Sequence, residues 1–132
     1  MQELWYNYLK VNKKGVTVYM VYLVTGCFIV LDFITGLIKA LKQKNYSSTV
    51  MREGLFHKCA SIIWIVFGTL VDYTQGYLDL GNTIPVCISI CTYIVIMECG
   101  SIIENLGSIN PEIVPVKVRQ HFAKLNQQER GE

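Results

Sequence analysis

Residues 15–44 read GVTVYMVYLVTGCFIVLDFITGLIKALKQK. Between Lys14 and Lys39 the one charged side chain is Asp32, so 24 residues separate the two lysines. At about 1.5 Å rise per residue, a helix of that length crosses a hydrocarbon core of about 30 Å. A cleaved signal peptide would have a shorter apolar region and a small-x-small cleavage site after it. This run is longer, contains an acid, and ends in Lys39, Lys42 and Lys44. It therefore predicts a retained membrane span over residues 15–40.

Two further apolar stretches follow. The second, residues 59–77, is interrupted by Asp72, and its most apolar part, residues 61–71, is shorter than a span. Beside an unambiguous first span it predicts a second crossing. The third carries no charge from Leu80 to Met97, and Pro85 belongs near its start. Its helix continues past Glu98, giving a span over residues 82–107. The expected fold class is all-α: an integral membrane protein with about three transmembrane helices and short amphipathic ends.

The 132 residues suffice for one domain at most. Charged residues make up 17%, against about 25% in soluble domains, and they are bunched between the apolar runs. A net charge of +2 makes no case for a nucleic-acid partner. The five cysteines all lie in or beside apolar stretches and form no Cys-x-x-Cys pair. They read as small packing residues, with neither a disulfide framework nor a metal site. Cys87 and Cys91 share a helix face. His57 and His121 sit beside cations in polar segments, and no catalytic, phosphate or metal motif appears. No enzyme and no cofactor are expected.

The connecting segments supply the topology. Residues 1–14 mix Leu4, Trp5, Tyr6 and Tyr8 with lysines, a composition suited to a membrane interface. Residues 41–58 read as a polar, basic loop, and residues 72–83 as an acidic one with a turn at Gly81-Asn82. Residues 108–132 read as a tail, with Pro111 and Pro115 ending the last span and Val118, Phe122 and Leu125 on one face. With three spans, the 41–58 loop and the tail share a side. Counted with its flanks, that side carries Lys39, Lys42, Lys44, Arg52, Lys58, Lys117, Arg119, Lys124 and Arg130; the other carries Lys10, Lys13 and Lys14. The excess of cations predicts an outside N-terminus and a cytoplasmic tail.

Each span has one polar or small-residue stripe. Asp32 aligns with Thr25, Gly36 and Lys39; Asp72 with Ser61, Gly68 and Gly76; Glu98 with Cys91, Ser101 and Asn105. An acid at a helix centre costs about 2.5–3.5 kcal/mol on insertion scales, so it should face protein or water. The candidate intramembrane polar contacts are Asp32, Lys58, Asp72, Glu98, Glu104 and Asn105. The candidate packing or oligomer positions are Gly26, Thr35, Gly36, Gly68, Gly76 and Ser101. Two readings of the stripes stand: they pack the helices of one bundle, or they meet between subunits or line water. Depth allows Lys58 to pair with Asp32 or with Glu98. Asp72, nearer the outer surface, reads as solvated. Gly36 and Gly68 are expected to form subunit contacts.

Two stretches carry a resemblance. LDFITGLIKALKQKNYSSTVMREGLFHK, residues 31–58, and ECGSIIENLGSI, residues 98–109, resemble the toxin-secretion/phage-lysis holin family of Gram-positive bacteria and their phages. In the first stretch the matching positions are Asp32, Thr35, Gly36, Ala40, Ser47, Ser48, Gly54 and Lys58. In the second they are Glu98, Ser101, Ile102, Glu104 and Asn105. The resemblance implies a homo-oligomer in the bacterial cytoplasmic membrane, in contact with lipid, that forms lesions for an endolysin or a large toxin. The alternative from another class is a non-lytic scaffold or an antiholin-type regulator.

Overall fold

A computed structural model describes residues 2–78, 84–129 and 131 of the chain. They form four helices: α1, Gln2–Lys42; α2, Ser48–Leu78; α3, Val86–Ile109; and α4, Val116–Glu129. Segments Val18–Lys42, Ser48–Leu78 and Val86–Ile109 are each long and apolar enough to cross a membrane. The third is the central one: α1 and α2 both pack on α3, and α4 packs on it as well.

Two boundaries differ from the sequence reading. α1 runs unbroken from Gln2, so Lys13, Lys14 and Gly15 do not interrupt it. The expected interfacial side chains of residues 1–14, and the turn at Gly81-Asn82, fall outside the described residues. The second difference is the basic loop. Residues 48–58 are not loop but the first three turns of α2, because the chain reverses within a few residues. Asn45 N–H donates to Ala40 O at 3.1 Å and Lys44 N–H to Leu41 O at 3.3 Å, the paired bonds of a Schellman ending. Lys44 takes the left-handed conformation this requires, with φ of 52°. The hydroxyl of Ser47 then accepts from Val50 N–H at 3.2 Å, capping α2. A loop reading based on polarity alone overlooked both signals.

The distribution of burial is that of a chain solvated by lipid. Large apolar side chains such as Leu23, Val30, Ile63, Phe67 and Leu70 are exposed, whereas Thr25, Asp32, Thr35, Ser61, Glu98 and Asn105 are buried. In hydrocarbon there is no hydrophobic gain from hiding leucine, so small and polar groups that bond to one another share the interior with a few aliphatic side chains, Ile29, Ile94 and Ile102 among them. Several hydroxyls turn back on their own helix. Thr25 donates to Val21 O at 2.8 Å and Ser61 to His57 O at 3.2 Å.

The α2–α3 connection is tied at its base by Asp72. Its Oδ1 accepts from Val86 N–H at 2.8 Å and its Oδ2 from Cys87 N–H at 2.9 Å. Pro85, at the N-cap position of α3, provides no side-chain cap. A carboxylate from the preceding helix thus satisfies two orphan donors and faces the positive end of the α3 dipole. Gln75 adds a two-way bond to the backbone of Ile84, at 2.9 and 3.0 Å. This corrects the reading of Asp72 as solvated. Asp72→Ala is expected to destabilise the bundle by about 1–2 kcal/mol, and Asp72→Asn by less. The measure is thermal unfolding in mild detergent, followed by reactivity of the buried Cys87; an unchanged midpoint in the alanine variant would show that the cap contributes nothing.

Candidate functional site

The three spans meet at two levels. At the first, Lys58 on α2 donates from its ammonium to Asp32 Oδ2 on α1 and to Glu98 Oε2 on α3. Asn105 Nδ2, two turns further along α3, donates to Asp32 Oδ1 at 3.1 Å and to Thr35 Oγ1 at 3.2 Å. Both oxygens of Asp32 therefore have a donor. Asp32 and Glu98 are only 8% and 3% exposed. One cation between two buried carboxylates, with one group from each span, makes this an ionic rung that locks all three helices together.

At the second level the groups are neutral. Tyr22 on α1 and Thr69 on α2 share a hydrogen bond of 2.9 Å between their hydroxyls, and Cys87 Sγ on α3 donates to the tyrosine oxygen at 3.5 Å. Tyr22 precedes Asp32 by 10 residues, Cys87 precedes Glu98 by 11 and Thr69 follows Lys58 by 11. The two rungs are thus about 15–16 Å apart along parallel α1 and α3 and antiparallel α2.

The ionic rung is reached from both sides. A cleft of about 230 Å³ between the end of α1 and the start of α2 is lined by Gly36, Ala40, Val50, Gly54, Lys58 and Asn105, among others. On the other side, between α2 and α3, a polar crevice of about 520 Å³ is lined by Asp32, Glu53, His57, Lys58, Glu98 and Glu104, among others. The α1 and α3 ends beyond the rung are joined by Lys42, whose ammonium donates to Ile109 O. α4 closes that end: the Arg119 side chain lies over Gly107, where an added Cβ would come within 2.7 Å of its Cδ. Among the described residues, no group of three His, Cys, Asp or Glu side chains is arranged to hold a metal ion.

A family model described as the bacteriophage holin family matches residues 13–127, which covers all three spans and both rungs. The chain belongs to the bacteriophage holin family. A curated relative, an uncharacterized 14.9 kDa protein in the nagH 3′ region of Clostridium perfringens, is 31% identical over 100 residues, which is 75% of this chain and 71% of the relative. No solved structure matches. The holin family is not an enzyme family, and three apolar helices make this member a membrane protein.

In this family member, the residues singled out from sequence separate into three groups. Asp32, Lys58, Glu98 and Asn105, with Thr35, come together in the ionic rung. Asp72 stands apart at the base of α3, and Glu104 lies exposed at the rim of the polar crevice. The glycines divide as well. A Cβ on Gly68 would lie 2.8 Å from Ile90 Cδ1 and 3.0 Å from Cys87 Cα. Gly68 is therefore occupied by the chain's own α3, which corrects the expectation that it forms a subunit contact. Gly36 faces Asn105 at an ordinary 3.6 Å, while Gly26 and Gly76 have nothing within 4 Å.

The neutral rung was missed by the sequence reading. Its signal was present in the matched 10- and 11-residue separations from the charged positions. Tyr22 and Thr69 stood out neither by charge nor by stripe alignment, and Cys87 read as packing.

Proposed function

We propose that this chain is a holin that self-associates in the cytoplasmic membrane and opens lesions through which an endolysin or a large toxin leaves the cell. The observation that carries this reading is the ionic rung. A bundle needing only to sit in lipid has no use for an ionisable group from each span, two buried carboxylates and a largely covered lysine, since each costs insertion energy. Such groups make a closed bundle whose contacts are exchangeable. The same ammonium and carboxylates that bond within one chain can bond to another chain or to water once the helices separate. Expression without any other lysis gene tests the proposal: growth should stop and a membrane-impermeant dye should enter. Stable accumulation in the membrane with no leakage would overturn it and assign the chain to the non-lytic scaffolds or regulators.

The orientation is part of the proposal. Lys58 is engaged with two carboxylates and no longer counts as a free loop cation. Eight cations remain on the 41–58 and tail side, against Lys10, Lys13 and Lys14 on the other. The N-terminus is therefore outside and the tail cytoplasmic. With the exposed native cysteines replaced, an impermeant thiol reagent added to intact cells should label a cysteine at position 79 and miss one at position 45. The reverse pattern would invert the assignment.

A further inference from the structure

α4 leaves α3 at the level where the apolar spans end. The Arg119 side chain lies over Gly107, and the ammonium of Lys42, the last residue of α1, donates to Ile109 O. Gly107 is nine residues beyond Glu98, so the start of α4 sits about 13–14 Å past the ionic rung. The first and third spans both finish there, at Lys42 and Ile109. A helix that begins at this depth lies beside lipid headgroups, not in bulk water.

The side chains of α4 are sorted for that position. Arg119, Phe122 and Ala123 are half-buried and form the face turned to α3. At about 100° per residue, Val118 and Leu125 form a stripe about a quarter-turn from that face, and both are exposed. Gln120 and Gln127 lie opposite the stripe, in the open. Lys117 and Lys124 lie about 100° round from the stripe, on the side away from α3, and are exposed as well. No acid occurs between Val116 and Gln128. The four sides of the helix thus suit protein, an apolar phase, water and a negative charge.

From this we infer that α4 docks on an anionic phospholipid leaflet, with Val118 and Leu125 in the acyl region and Lys117 and Lys124 on the headgroup phosphates. Depth and charge together name the occupant. An apolar stripe at the end of three spans already meets acyl chains, and lysines on long stems reach from such a stripe to the headgroups. The complement these cations require is a net negative surface, which a neutral leaflet does not supply. Because Arg119 holds α4 to the last turn of α3, the docking ties the end of the closed bundle to the membrane surface. It needs the three spans and not lesion formation.

The test uses the full chain with Cys27, Cys59 and Cys99 replaced and the buried Cys87 and Cys91 kept. It is reconstituted in vesicles of pure phosphatidylcholine, or of an equal mixture with phosphatidylglycerol. A bimane fluorophore is attached through Leu125→Cys, or through Gln127→Cys as the water-facing control. In the mixed vesicles, lipids brominated on their acyl chains should quench the label at 125, and acrylamide in the buffer the label at 127. In pure phosphatidylcholine the label at 125 should become open to acrylamide. Acrylamide quenching at 125 in both vesicles would overturn the docking, and equal quenching by brominated lipid in both would overturn the role of anionic headgroups. Protection from both quenchers would mean that a second copy or another protein covers the stripe, and would overturn the inference too.

A second variant leaves the stripe intact and removes the cations. Each lysine near an anionic surface is worth about a fivefold change in the ratio of docked to undocked helix, so Lys117→Gln with Lys124→Gln should lower that ratio by about 25-fold in the mixed vesicles. Lys117→Arg with Lys124→Arg keeps the charge and should keep the docking. A glutamine pair that docks as well as the parent would overturn the headgroup contact. Lysis with the stripe in water would overturn the docking alone. Docking without lysis would overturn the holin reading and leave the docking standing.

Discussion

Lys58→Met is expected to remove most of the chain from the membrane. The lysine side chain is 11% exposed and joins Asp32 to Glu98. Methionine fills much of the same volume but leaves two buried carboxylates facing each other without a cation. Removing one partner of a buried ion pair costs about 3–5 kcal/mol, because the remaining charge is stranded. Here two charges are stranded, and they repel. Asn105 still donates to Asp32 at 3.1 Å, but one amide does not offset a lost ammonium. The measurement is membrane abundance by immunoblot together with the unfolding midpoint in detergent.

The triple variant Lys58→Met, Asp32→Asn, Glu98→Gln separates charge from shape. It removes all three charges and keeps polar groups in place, so abundance should return. Wild-type abundance and midpoint in Lys58→Met alone would show that the rung does not hold the bundle. Lysis by the triple variant then reports on function. If it accumulates without opening the membrane, charge exchange at the rung is part of lesion formation; if it lyses normally, the rung only packs helices.

Gly68→Leu is the second large effect, expected to lower abundance by destabilising the single chain rather than by disrupting its assembly. Its Cβ alone would come within 3.0 Å of a backbone atom, Cys87 Cα. A side-chain tip can swing away, but a helix backbone moves only with the whole α2–α3 contact, including the Tyr22–Thr69–Cys87 rung one residue away. Overpacking of this kind costs about 1–3 kcal/mol, and leucine belongs at the upper end. Gly76→Leu is the control: with nothing within 4 Å of its Cβ position, it should accumulate normally. A Gly68→Leu chain present at wild-type level but unable to crosslink would reverse the assignment and return Gly68 to the subunit surface.

Much of the fold was legible in the sequence because hydrocarbon is a severe solvent. It requires every backbone group to be satisfied within its own segment, so long uncharged runs can only be helices of a fixed minimum length. The run from Gly15 to Ala40 and the charge-free run from Leu80 to Met97 needed no tertiary information. The start of α2 was harder. Residues 48–58 are polar enough to pass for loop, and only the closing bonds at Lys44 and Asn45 and the Ser47 cap show that the helix has already begun.

The candidate site was half legible for a related reason. A charge inside a span is costly, so Asp32 and Glu98 drew notice by residue type alone, whereas Lys58, read as the end of the basic loop, was tied to them by depth. By itself the sequence determined three membrane helices, an expected orientation from the cation bias, and the requirement that those charges face away from lipid. Which groups they meet depends on helix rotation and depth, and those are set by packing across three helices. Only the tertiary structure decided that one ammonium serves both carboxylates, that Asp72 caps a helix, and that Gly68 belongs to the chain's own core. Helical periodicity assigns a residue to a face, but what that face touches follows from how the helices pack.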